Sequence, residues 1–222
     1  MLVRAGLFFL GLVCASIAQA GKFEVLNLHS SNECEQSSGP SVCVTLHFSG
    51  EVRLGDTERF QAERQRIENI FKQIAPHLSV RITTVNFDSP GGEIYEAMRL
   101  GRVMRENLIT TGVNSESNCH SACVIAFLGG VIRLPFGSIG IHSFYSKDLI
   151  GAPDFALASE RYDEVSAHVE QYLRAVRIPT AFLDEMKKVP HYKMKVLGLD
   201  EMSQLGVIGI DPVYAQTRER HN

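Results

Sequence analysis

VNFDSPGG at residues 85–92 and ESNCHSACVIAFLGGVIRLPFGSIGIH at residues 116–142 decide how this chain folds. Residues 80–87 (VRITTVNF) alternate as a β-branched strand, and Asp88, Ser89, Pro90, Gly91 and Gly92 then break it. Residues 93–107 follow with Ile94, Ala97, Met98, Leu100, Val103 and Met104 on one helical face and arginines on the other. The second stretch repeats the pattern. A short strand at 109–113 leads through Asn118, Cys119 and His120 into an apolar helix at 121–128, which Gly129 and Gly130 end. Residues 131–134 and 138–142 are two further strands across the turn Pro135, Phe136, Gly137.

Outward from this centre the alternation continues. Residues 23–28 and 42–48 (VCVTLHF) are strand-like, and Phe60, Ile67, Ile70, Phe71 and Ile74 mark a helix that Pro76 stops. After a polar loop containing Gly151, Ala152 and Pro153, a long helix carries Tyr162, Val165, Val169, Tyr172, Leu173 and Val176 on one face. Residues 180–188 form a short helix, and 199–214 a helix followed by a short strand. Strands alternating with helices in this way imply an α/β fold with a mainly parallel sheet, flanking helices and a C-terminal helical segment.

With 222 residues, 45% of them hydrophobic and 21% charged, the chain can bury a core of its own. No repeat, low-complexity tract or Pro-rich linker divides it, so residues 21–222 read as a single domain. The formal charge of −3 provides no basic excess to recruit phosphate, which disfavours a nucleic-acid partner.

Residues 1–20 read as a signal peptide. Arg4 supplies the positive start, residues 6–17 an apolar run too short to span a bilayer comfortably, and Ala18-Gln19-Ala20 a small-x-small cleavage site before Gly21. The expected location is periplasmic or secreted, with no stable membrane anchor after cleavage.

Export changes the reading of the cysteines. Cys14 leaves with the signal, and Cys34, Cys43, Cys119 and Cys123 remain in an oxidising compartment. Cys34 and Cys43 flank a Ser-Gly-Pro turn, so a local bridge is the economical choice, worth about 2.5–3 kcal/mol on the chain-entropy model. For Cys119 and Cys123, a bridge between two helical positions and a buried apolar thiol at Cys123 both stay open. The Cys-x-x-x-Cys spacing has no second ligand pair, so no metal is expected.

Chemistry enters at three turns. The loop 88–92 lies at the carboxyl edge of the sheet, where α/β folds place their sites and where Gly91 and Gly92 can turn amides outward. Alone, it is ordinary turn punctuation. Ser121 opens a helix and, alone, is a cap. The same position sets its hydroxyl beside exposed amides and the positive end of the helix, which favours a developing oxyanion, and the small Ala122 lets its amide approach a carbonyl. His142 ends the strand Ile139-Gly140-Ile141, where a lone histidine is commonly a structural hydrogen-bonding group.

Taken in order, strand-x-SPGG, a serine before a small residue opening an apolar helix, G-x-x-R-x-x-P and a strand ending I-x-I-H resemble the Clp protease proteolytic subunit and its relatives. These share the ClpP/crotonase fold and include the signal peptide peptidase A group; the pattern is most similar to exported ClpP-like proteins with a C-x-S-A-C segment. The resemblance runs over residues 85–142 and extends across 42–211, where LDEMSQLGVIGID is similar to the family's late helix and following strand. It implies Ser121 as nucleophile, His142 as general base, the amides of Gly91 and Ala122 as oxyanion hole and Gly92 as support for that turn, with no cofactor. Arg133 matches a family arginine. The family's third catalytic residue, a carboxylate, falls at 192–195, which contains none; Asp184, His191 and Asp200 are near in sequence and out of register.

The reading that follows is an exported serine peptidase acting on short or unfolded peptides. Its alternative is a catalytically inactive ClpP-like binding or assembly module. A thiol redox protein using Cys119 and Cys123 is a third reading, and an acyl-CoA substrate is not expected outside the cytoplasm. The resemblance also implies a homo-oligomer, with the apolar face of residues 162–176 as its candidate interface.

Overall fold

Seen in a computed structural model that describes residues 20–29, 40–144 and 155–219, strand and helix alternate as the spacing requires. The order is β1 (Lys22–His29), β2 (Ser41–Ser49), α1 (Asp56–Ile74), β3 (Ser79–Asp88), α2 (Ile94–Glu106) and β4 (Thr110–Val113). Then come β5 (Asn118–His120), α3 (Ala122–Phe127), β6 (Ile132–Pro135), β7 (Ser138–Ile141) and α4 (Phe155–Ala175). The chain closes with α5 (Ala181–Lys188), β8 (Lys195–Val196), α6 (Leu199–Gln204), β9 (Gly209–Ile210) and α7 (Pro212–Glu219).

A six-stranded sheet runs β1-β2-β3-β4-β6-β9. Its centre is parallel and only β1 and β9, at the edges, are antiparallel to their neighbours. Val44, Leu46 and Phe48 on one face of β2 are sealed from solvent, and Cys43 and Thr45 on the other face are buried as well, as in a strand covered on both faces. A second sheet, β5-β7-β8, pairs β5 with β7 in parallel and β7 with β8 antiparallel. It joins the first through a bridge between Ser89 and Cys119. This small sheet was not legible in the sequence: β5 has three residues and β8 two, too short for alternation to register. Nor was α7, whose eight residues follow Pro212 directly.

Helix α3 is apolar on every side and every residue of it is buried, as such a helix requires. Helix α2 reaches it through two glycines: a side chain on Gly129 would stand 2.1 Å from the Gly101 carbonyl oxygen. Helix α4 covers the pair, and the Tyr172 hydroxyl donates to the Ile125 carbonyl at 2.7 Å. This corrects the expected interface for the later part of the 162–176 face, while Tyr162 and Val165 near the start of α4 stay partly exposed. Val169, Tyr172, Leu173 and Val176 pack into the chain's own core, fully buried, and offer nothing to a second copy. A stripe at helical spacing reports that a face is covered, not by what.

Arg133 acts as a tie. Its guanidinium donates to the carbonyls of Gly130 and Gly206 at 2.9 and 3.2 Å, joining β6 to the turn before β9, and burial pulls its pKa down to about 10. Beside it, buried Asp211 pairs with Arg105 and Arg177 and accepts the amides of Val213 and Tyr214 at the start of α7. The expected signal segment, apart from Ala20, and Cys34 lie outside the described residues.

Candidate active site

The three chemically suggestive turns meet where β3, β5 and β7 end. Parallel pairing sets His120 against Gly140, and the Ser121 amide donates to the Gly140 carbonyl at 2.8 Å, two residues before His142. On the other side the Ser89 amide donates to the Asn118 carbonyl and the His120 amide to the Ser89 carbonyl, at 2.7 and 3.0 Å. Strand β5 is thereby held between the SPGG loop and the histidine strand.

Gly91 touches Ser121 directly. A Cβ built on it would fall 2.7 Å from the Ser121 Cβ, 2.7 Å from the His120 carbonyl oxygen and 3.0 Å from the Ala122 amide nitrogen. Its φ of +107° is also one that only glycine takes without strain. Gly92 is seated against Val52, which accepts the Glu93 amide and donates to the Gly91 carbonyl, so it supports the turn from behind. The Gly91 amide is not simply turned outward, however: it donates to the Ser89 hydroxyl at 3.2 Å, a partner inside the loop that the sequence reading did not single out.

Ser121 is no ordinary cap. Its backbone sits at φ 54°, ψ −127° and its hydroxyl makes no capping bond to α3. For a residue with a Cβ this conformation costs about 1–3 kcal/mol and persists only where its surroundings enforce it. It is the sharp strand-to-helix elbow that lifts a hydroxyl clear of the helix it precedes. A covalent bond spans this residue. Cys119 and Cys123 are joined by a disulfide, Cα to Cα 5.3 Å, across Ser121. Cys119 is in β5 rather than in a helix, which is why the pair comes closer than two helical positions would. Closing so short a loop is worth about 2 kcal/mol on the chain-entropy model, the same size as the strain it spans. Both cysteines are fully buried, which leaves no accessible thiol for the redox reading. Cys43 is disulfide-bonded as well.

His142 is 9% exposed, and its Nδ1–H donates to the Ser143 carbonyl at 2.7 Å. A carbonyl only accepts, so this contact assigns the proton to Nδ1 and leaves Nε2 as the basic nitrogen of the neutral ring. Residues 192–195 do lie beside the histidine strand, where Lys195 pairs with Ile141. They bring no carboxylate; Lys195 itself is tied to Glu185 and Glu201. Asp184, His191 and Asp200 are solvent-exposed. Among the described residues no hydrogen bond joins the Ser121 hydroxyl to His142, a common state before substrate engages.

Beside the elbow an open cleft is lined by Asp88, Ser89, Pro90, Asn118 and His120. His120 Nε2 lies 3.0 Å from the Ser138 hydroxyl, and burial holds its pKa below the ordinary histidine value, with Asp88 opposing and His142 adding to the shift.

No family model and no curated protein matches the chain. Among solved structures, a point mutant of ClpP1 from Listeria monocytogenes superposes with a TM-score of 0.51 at 14% identity, over 74% of this chain and 88% of that one. The fold is ClpP-like. A point mutant of the 1510-N membrane-bound stomatin-specific protease also matches, at 14% identity and a TM-score of 0.45 over 77% of each chain. At these identities the likeness concerns backbone architecture, and the assignment of chemistry to Ser121 and His142 has to come from their own surroundings. No helix among the described residues is long and apolar enough to cross a membrane.

Proposed function

We propose that this chain is an exported serine peptidase of short or unfolded peptides. His142 Nε2 takes the Ser121 proton, the alkoxide attacks the scissile carbonyl, and water then resolves the acyl-enzyme. The amides of Ala122 and Gly91 receive the oxyanion, the second after turning from the Ser89 hydroxyl. The observation that carries the reading is the Ser121 elbow: a non-capping serine in a left-handed conformation, packed on a glycine that tolerates no side chain. The Ser143 carbonyl takes the place of a triad carboxylate. It orients the ring as a carboxylate would, yet carries no full negative charge to stabilise the imidazolium. In a serine protease, replacing the orienting carboxylate by an amide costs about 10⁴ in turnover. This site is therefore expected to be a slow one.

That same missing carboxylate favours the second reading, an inactive module that keeps the groove. A fluorophosphonate probe separates the two. Labelling of the wild type that disappears in Ser121→Ala and falls sharply in His142→Gln supports the peptidase. An unlabelled wild type from neutral to mildly alkaline pH supports the binding module.

A further inference from the structure

We propose that the Cys119–Cys123 disulfide is a positioning element for Ser121, so that the nucleophile reacts faster in the oxidised form than in the reduced one. The inference rests on Ser121 being the nucleophile. The bond joins β5 to the first turn of α3 and encloses the strained residue between two fully buried sulfurs. The elbow is also restrained by backbone bonds, His120 amide to Ser89, Ser121 amide to Gly140 and Val124 amide to the Ser121 carbonyl at 3.0 Å, and by Gly91 packed on Ser121, but none of these is covalent. Both ends of the elbow are short, three residues of strand and six of helix, so neither is stiff on its own.

A relaxed alternative lies close by. If Ser121, the residue just before α3, took the extended backbone of an ordinary N-cap, it would leave the left-handed region and its hydroxyl would bond back to an amide of the first turn, as helix-capping serines do. That state stabilises the helix and withdraws both the nucleophile and the amide beside it. The cross-link opposes the change, because turning Ser121 into a cap rotates Cys119 relative to Cys123. Reduction by an external dithiol releases the restraint: the attacking thiolate forms a mixed disulfide with one sulfur, and the second thiol resolves it. Cys119 and Cys123 leave as thiols and the dithiol becomes a disulfide, two electrons and two protons passing to the protein. Burial of the sulfurs makes that exchange slow in the folded chain, so oxidation state is set chiefly when the chain folds.

The test follows fluorophosphonate labelling over a range of probe concentrations, which separates the binding constant KI from the bonding rate constant kinact. In Cys119→Ala/Cys123→Ala, kinact is expected to fall about tenfold or more while KI stays within about twofold, since the strain released corresponds to that factor. A merely structural loss would lower the amount of labelled protein without this split. Wild type treated with dithiothreitol until mass spectrometry finds this bridge open should behave like the variant and recover on reoxidation, which keeps the test available if the variant folds poorly. Cys34→Ala/Cys43→Ala should keep the wild-type kinact. Equal kinact with the Cys119–Cys123 bridge present and absent overturns the positioning role and leaves the nucleophile standing. Failure of oxidised wild type to label overturns the nucleophile assignment, and the positioning role with it.

Discussion

Gly91 has no room for a side chain, and that makes it the sharpest probe of the site at the residue scale. In Gly91→Ala the new methyl would press on the Ser121 Cβ and the His120 carbonyl from a backbone angle that alanine rarely adopts. Labelling of Ser121 by a fluorophosphonate should drop by about 10²-fold, the size of effect that loss of one oxyanion donor produces. The cost in stability, read from urea denaturation, should be about 1–3 kcal/mol. His120 provides a pH prediction. Its folded pKa lies below the ordinary value of 6.5, chiefly because it is buried, so the unfolded chain takes up its proton first. Stability from this group is therefore full above pH 6.5 and declines as pH falls toward the folded value. Thermal melts between about pH 7 and pH 5 should show a shallower decline in His120→Gln, which still reaches Ser138, than in the wild type. At this scale the sequence was informative about residue type. Glycines at a strand end and a serine before alanine could be read as site material, but the engagement of the Gly91 amide by Ser89 could not.

At the scale of elements, α3 is where legibility and its limit meet. Its unbroken apolar run announced a buried helix, and buried it is. Its partner could not be read, because the stripe on α4 would be the same whether it faced a second subunit or this helix. The structure places Tyr172 on α3 and against Gly101 of α2, with its hydroxyl bonded to Ile125. Tyr172→Ala should accordingly cost about 3–5 kcal/mol in urea unfolding, as for other large aromatics removed from a core. Light scattering should give the same mass for the folded variant as for the wild type. A change of mass at unchanged stability would return α4 to the role of interface. The elbow between β5 and α3 has the same character. The cysteine spacing allowed a bridge or a free thiol, and only the strand conformation at Cys119 brought the two Cα atoms to 5.3 Å.

For the whole molecule, the parallel sheet sets the ends of β3, β5 and β7 together, while a buried charge network fastens the C-terminal segment to that frame. Asp211 is its centre. Burial alone would raise its carboxyl, but the Tyr214 amide and the guanidiniums of Arg105 and Arg177 hold it below the usual carboxylate range. Asp211→Ala would leave Arg105, a largely buried side chain, without its counter-charge, and should cost about 3–5 kcal/mol by denaturant unfolding. A loss below about 1 kcal/mol would mean that the network behaves as a surface pair.

The sequence by itself determined the α/β alternation, the ClpP-like order of turns and the residue types offered to the site, because strand and helix periods and turn chemistry are properties of neighbouring residues. Only the tertiary structure decided what each of those residues meets. It turned Ser121 out of a cap and closed a disulfide across it, buried most of the α4 face in the chain's own core, and set the Ser143 carbonyl against His142 Nδ1. Those outcomes depend on which distant segments are brought against one another, and a periodic pattern carries the existence of a contact without the identity of its partner.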